Sequence, residues 1–480
     1  MFLGLDLGTS GLKAILTPDG HALLATVTIP LGIQHPHPGW SEQDPAAWWQ
    51  ATLDAVDSLG RTHPAELAAT VAIGLAGQMH GAVCLDADGA PLRPAILWND
   101  TRAAAECAEL EAALPTLRDI AGNIAMPGFT APKLLWLRKH EPALFAQIAK
   151  VLLPKAYLRL KLSGALIEDM SDAAGTLWLD VAARDWSDQI LAATGLSRAH
   201  MPALAEGNAR AGTLSPDLAA RWSMTRPPLI AAGAGDNAAG AVGLGAINPG
   251  DAFISLGTSG VLFATTPGFR PYPQSAVHAF CHALPGLWHQ MGVTLSAAAS
   301  LAWWSGITGQ PEAALLAELP EIRSPSEALF LPYLAGERTP HNDATRRGAF
   351  TALSATATRA TLTHAILDGV AFSLRDCLDA LAASGTVIDT AGMVGGGARS
   401  PAWLRIIAAT LAIPLRRLPD AEHAVALGAT RLARMAHTGE PPEAVCLPAT
   451  PLDIIHPDPA LTAAYAAHRP AWQTAAANLA

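Results

Sequence analysis

One five-residue motif occurs twice in this chain. Leu7-Gly8-Thr9-Ser10-Gly11 returns as Leu256-Gly257-Thr258-Ser259-Gly260, one copy in each half of the 480 residues. Apolar runs flank both copies: Phe2–Leu5 and Leu12–Leu16 around the first, Ala252–Leu256 and Val261–Thr265 around the second. Two apolar runs joined by a Gly-rich turn read as a β-hairpin. The same hairpin at matching places in both halves implies duplication. The expected fold is α/β, with two related lobes and a cleft between them.

The remaining pattern fits alternating strands and helices. Pro18-Asp19-Gly20 is a turn and His21–Thr28 reads as a third strand. Asp44-Pro45 reads as an N-cap and first helical residue, with Trp49, Leu53 and Val56 on one face of the helix that follows. Val71–Leu75 and Pro228–Ala232 read as short buried strands, and a helix of small residues starts near Asn237. Ala360–Leu381 has helical periodicity. Thr390–Val394 reads as a strand leading through Gly395-Gly396-Gly397 to a helix capped by Ser400. Strands alternating with helices imply a largely parallel sheet in each lobe. Asn248-Pro249-Gly250 reads as a connector, so the lobes are expected at 1–246 and 247–480.

Composition narrows the function. Lys and Arg number 31 against 41 Asp and Glu, a net charge of −10, which argues against nucleic acid as a partner. The start of the chain has no basic segment followed by an apolar one, so no signal peptide is expected. The apolar stretch from Pro228 to Leu256 is broken by Asp236, Asn237, Asn248 and Pro249, so no membrane span is expected either. Five scattered cysteines without a C-x-x-C pair fit reduced thiols in a cytoplasm. A homodimer is left open.

Neither G-x-x-x-x-G-K-[ST] nor G-x-G-x-x-G occurs. A nucleotide site would need another cradle, and the paired turns supply one. Gly8 and Gly257 let backbone N–H groups approach phosphate, and the hydroxyls of Thr9, Ser10 and Thr258 add donors. Asp6, at the end of the first strand, could hold Mg²⁺ or cap the turn. Lys13 faces phosphate or solvent. Asp236, after an apolar strand and before small residues, is the candidate general base; capping the next helix is its alternative role. His80, in Gly77-Gln78-Met79-His80-Gly81 after a strand, could bind a sugar hydroxyl or serve structurally. Gly396 and Gly397 suit a nucleotide against bare backbone or a tight turn. His278, Cys281 and His282 lack the second pair a zinc site needs.

Together these residues resemble the FGGY family of carbohydrate kinases, which contains glycerol, gluconate and xylulose kinases. Gly128–His140 and Gly348–Asp368 are similar to its two signatures, with Ala352 standing where a glycine is usual. Further blocks resemble those of bacterial xylulose kinases: Gly39–Pro45, the run from Gly77, Arg93–Asp100, Met126–Trp136, Asp169–Thr176, the run from Gly233 and Gly336–Asn342. The resemblance spans Phe2 to about Arg434. It implies a two-lobed actin-like ATPase (ribonuclease H-like) fold and ATP-dependent, Mg²⁺-assisted phosphorylation of D-xylulose. It implies Asp236 as base, Asp6 beside Mg-ATP, and Met79, His80 and Asn237 as sugar contacts. Thr9, Gly257 and Thr258 would lie in the phosphate turns, with Gly396 and Gly397 against the adenosine. Trp98 stands as a wall of the sugar pocket or as a core tryptophan. The alternatives are a kinase of the same family acting on another ketose or polyol, and an actin-like assembly ATPase.

Overall fold

The structure, a computed structural model, describes residues 1–478. Its first sheet has the order Arg210–Thr213, Leu229–Ala231, Ala72–Gly77, Phe2–Leu7, Gly11–Thr17, Ala25–Pro30, with Ala234–Gly235 added beside Ala72–Gly77. Phe2–Leu7 and Leu229–Ala231 run parallel to Ala72–Gly77, and the outer junctions are antiparallel. The second sheet has the order His278–Cys281, Trp288–Thr294, Gly260–Thr266, Ala252–Leu256, Ala391–Val394, Leu415–Arg417, Asp453–Ile455. Here too the strands on both sides of one central strand, Ala391–Val394, are parallel to it and the outer ones antiparallel. The two halves thus share a topology. Parallel pairing is confined to the centre of each sheet, which corrects the expectation of largely parallel sheets. Each lobe begins with hairpins, and hairpins can only pair antiparallel.

Local chemistry sets where elements start. Asp19 accepts the N–H groups of His21 and Ala22 and keeps both in the turn, so the third strand begins at Ala25 rather than His21. Helix Pro45–Thr62 has the expected cap: Asp44 accepts the N–H of Ala46 and proline follows. Its buried face is Trp48, Thr52, Val56 and Leu59, with Trp49 and Leu53 only at its margin. Periodicity alone could not choose between neighbouring tryptophans. Trp48 is the one whose Nε1–H has a buried acceptor, Gln43 Oε1 at 3.0 Å.

Helix Ala424–Thr438 is drawn from the C-terminal half, yet it packs against helix Asp236–Leu244 and strands Phe2–Leu7 and Ala72–Gly77. Bare glycines permit this. A Cβ on Gly74 would lie 1.8 Å from the carbonyl oxygen of Ala429, and one on Gly428 1.8 Å from that of Ala239. The final helix, Pro459–Asn478, closes the second lobe: Trp472 donates to the Phe330 carbonyl and Tyr465 to Asp368. All five cysteines are buried and unpaired. Among the described residues no helix is long and apolar enough to cross a membrane.

Candidate active site

Sheet register brings the chemistry to one edge. Leu7 pairs with Gly77, and Gly77 with Gly235. The first Gly-Thr-Ser turn, the Gly77–Gly81 segment and Asp236 therefore leave the sheet together, at the carboxyl ends of parallel strands. A cavity of about 240 Å³ opens there, lined from the first half by Met79, His80, Trp98, Asp236 and Asn237. Ser259 of the second turn lines it from the other half, with His278 and Arg338.

Asp236 is the first residue of helix Asp236–Leu244. Its Oδ1 accepts from the N–H of Asn237 at 2.7 Å and the Nδ2 of Asn237 at 2.9 Å. The second oxygen has no hydrogen bond among the described residues. Burial raises the carboxyl to about 6, against the opposing pull of the Asn237 donors. Asp6 is raised further, to about 7, first by burial and then by the charge of Asp236, with Lys13 opposing. Its carboxylate has no hydrogen-bonding partner among the described residues. Two neighbouring carboxyl groups that repel each other, one of them unpartnered, are a hard oxygen donor set that fits a divalent cation such as Mg²⁺.

Both turns offer donors in the same pattern. The N–H of Gly8 bonds to Gly11 O at 3.0 Å and that of Gly257 to Ser259 O at 3.2 Å, so these glycines close their own turns. The N–H groups of Thr9, Ser10, Thr258 and Ser259 make no hydrogen bond among the described residues. These, rather than Gly8 and Gly257, are the free donors. The Thr9 hydroxyl is not free either: it donates to Gln78 Oε1 at 2.9 Å and accepts from Trp98 Nε1 at 3.0 Å. Gln43 ties this group together, donating to Thr9 O at 2.7 Å and accepting from Gln78 Nε2 at 2.9 Å. Trp98 is 38% exposed and lines the cavity, so it is not a core tryptophan.

His80 has φ +69°, and its Nδ1 lies 2.5 Å from Gly175 O. That contact puts the proton on Nδ1 and leaves Nε2 as an acceptor. Burial, with Lys133 and Arg338 adding to it, lowers the imidazole to about 3, so it is neutral. Lys133, fully enclosed, holds the carbonyl oxygens of His80 and Gly128, each at 2.8 Å. Helix Met170–Ala174 braces the Gly235–Asp236 segment from behind: Ser171 Oγ accepts the N–H of Gly235 at 3.1 Å and donates to Asp169. Glu168, Asp169 and Asp172 stand close enough to share a cation. They already share one, because Lys155 Nζ lies 2.6, 2.7 and 3.5 Å from them. This is an ion-pair cluster under the site, not a metal centre.

Lys13 reaches the carbonyl of Glu422, just before helix Ala424–Thr438, at 2.5 Å. Gly396 has nothing within 4 Å of an added Cβ, whereas one on Gly397 would meet Leu256 at 2.5 Å. Gly396 thus faces open space and Gly397 packs on the second turn's strand. His278, Cys281 and His282 form no metal-ligating group among the described residues. Sequence reading missed Gln43, Gln78, Ser171, His278 and Arg338 as parts of the site. All but His278 lie in blocks the family resemblance had flagged, but a single sequence does not say which blocks meet.

Comparison with known proteins identifies the family. The profile of the FGGY family of carbohydrate kinases, N-terminal domain, matches residues 1–243, and that of its C-terminal domain residues 252–437. A curated xylulose kinase from Escherichia coli (strain K12) is 50% identical over 477 residues, covering 99% of this chain and 97% of that protein. The crystal structure of a xyloylose kinase from Brucella ovis superimposes with a TM-score of 0.97 at 52% identity, covering 99% of both chains. A ligand-bound xylulose kinase from Lactobacillus acidophilus, at 22% identity, shares the fold with a TM-score of 0.93, covering 100% of this chain and 98% of that one. The duplicated lobes form the two-lobed actin-like ATPase fold, and with both domain profiles matched in order, this chain belongs to the FGGY family of carbohydrate kinases.

Proposed function

We propose that the chain transfers the γ-phosphoryl group of ATP to the terminal hydroxyl of D-xylulose, giving D-xylulose 5-phosphate. The observation that carries this reading is one cavity shared by Asp236 and Ser259, the base candidate of one half and the phosphate turn of the other. Similarity to xylulose kinases over nearly the full length supports the choice of sugar.

Mg-ATP supplies an electrophilic phosphoryl group and a cation that offsets charge in the transition state. The chain's own residues do the rest. Asp236, with one oxygen held by Asn237 and one free, accepts the proton of the attacking hydroxyl. Its raised carboxyl is still ionised at neutral pH and is a stronger base than an ordinary aspartate. His80 Nε2 accepts from a sugar hydroxyl, and Met79 and Trp98 wall the cavity. The free N–H groups of the two turns would hold phosphate oxygens, and Asp6 would hold the cation. Gly396, with open space beside it, would take the adenosine. The two lobes, divided near residue 246, close to exclude water from the transfer. Buried, unpaired cysteines suit the reducing cytoplasm.

The test is a sugar panel with coupled ADP detection, run with and without Mg²⁺. We expect D-xylulose to give the highest kcat/KM and Mg²⁺ removal to abolish turnover. A higher kcat/KM for glycerol or gluconate, or sugar-independent ADP release, would overturn this assignment.

A further inference from the structure

Arg338 reaches the cavity from the second lobe and is held there by its neighbours. Glu337, beside it, directs its carboxylate to the N–H groups of Leu295 and Arg338 at 2.9 and 2.8 Å. Thr339 exchanges hydrogen bonds with the backbone of Val293. The guanidinium has no ion pair among the described residues. Its only side-chain partner among the described residues is His278, with Nη1 3.4 Å from Nε2. His278 is itself oriented. The Nδ2 of Asn123 donates to the carbonyls of Ala121 and Ala279, so its Oδ1 faces His278 Nδ1, 3.1 Å away, as an acceptor. The proton therefore sits on His278 Nδ1 and its lone pair on Nε2 points at the arginine. Asn123 and His278 are almost fully enclosed, at 1% and 4% exposure. A fork of five donors has been aimed into a cavity, with one donor engaged and no counter-ion.

Arg338 also lines a smaller recess of about 40 Å³ with His80, Phe129 and His278, and Asp236 does not reach that recess. The guanidinium thus lines both the cavity that holds Asp236 and a side recess that Asp236 does not line. A ketopentose phosphorylated on O5 cannot be cyclic when it reacts, because O5 is the ring oxygen of its furanose form. The reactive species is the open chain, which carries a free carbonyl at C2. A carbonyl oxygen only accepts, and a guanidinium only donates. We propose that Arg338, positioned by His278 and Asn123, binds the C2 carbonyl of the open-chain ketose and sets the preference for ketoses over polyols. This rests on the ketose-kinase reading above.

The experiment compares D-xylulose with xylitol, which differs only by reduction at C2, in the coupled assay with the full chain. Arg338→Met should lower kcat/KM for D-xylulose at least about tenfold more than for xylitol, because a site built to hydrogen-bond one group loses most on that group. Where xylitol turns over too slowly, its inhibition constant against D-xylulose supplies the comparison. Arg338→Lys keeps the charge without the fork, covers failure of the first variant to fold, and should shift the ratio the same way by at least about threefold. An unchanged ratio in a folded variant, with both substrates falling equally, would overturn the proposal and point to phosphate or structural duty. A wild-type chain with no ketose turnover would instead overturn the ketose-kinase assignment itself.

Discussion

At the scale of single residues, function and stability oppose each other at Asp236. Its carboxyl is raised from an ordinary 3.8 to about 6 by burial, so the fold prefers the protonated form. At about pH 2 the group is neutral whether folded or not and costs nothing. Between about pH 4 and 6 the unfolded chain ionises while the folded one resists, so stability falls across that window and stays lower above it, where the folded chain carries a buried charge. Asp236→Asn should therefore raise the melting temperature at pH 8, by an amount equivalent to about 1–3 kcal/mol, with a much smaller gain at pH 4. Equal gains at both pH values would show that the charge is not the cause. A general base at Asp236 works only when ionised, so on the proposed mechanism kcat/KM for sugar should fall as pH drops through about 6. Ala352 offers a second test. The family resemblance implies a glycine at this position, and the φ of Ala352 is +56°, the left-handed region that suits glycine. Ala352→Gly should stabilise by about 0.5–1 kcal/mol, measured by chemical denaturation.

Among elements, the short helix Met170–Ala174 has most influence on the site. Ser171 fixes the N–H of Gly235, and Gly175 fixes the ring of His80. Ser171→Ala should lower kcat roughly 10- to 100-fold through misplacement of Asp236 while the KM for ATP stays nearly constant. Lys155→Met would leave three buried carboxyl groups without their cation and should destabilise by about 3–5 kcal/mol in urea titration. The hairpins, the Asp44 cap and the Ser400 cap, whose Oγ accepts the N–H of Trp403 at 3.3 Å, were legible in sequence because each is a local pattern. The choice of Trp48 over Trp49 was not, since it depends on Gln43. The free donors of the turns were legible only in part: Gly-Thr-Ser-Gly marks a tight turn rich in donors, but which N–H groups remain free depends on how the turn closes.

For the whole molecule, the repeated turn announced a duplication, and the matched sheet topologies show it. Long-range placement was not readable. Helix Ala424–Thr438 comes late in the chain and lies against the first sheet, through glycine contacts that no periodicity reveals. Gly74→Ala would drive a Cβ into the Ala429 backbone and should loosen this junction, lowering the cooperativity and temperature of melting. Arg338 and His278 were missed for the same reason, as their meaning appears only when the second lobe faces Asp236. The most direct measurement of the central claim is the turnover of Asp236→Ala with saturating D-xylulose, ATP and Mg²⁺. We expect a loss of roughly 10²- to 10⁴-fold with a normally folded chain. Turnover above about a tenth of the unaltered enzyme would contradict a general base shared between the two turns.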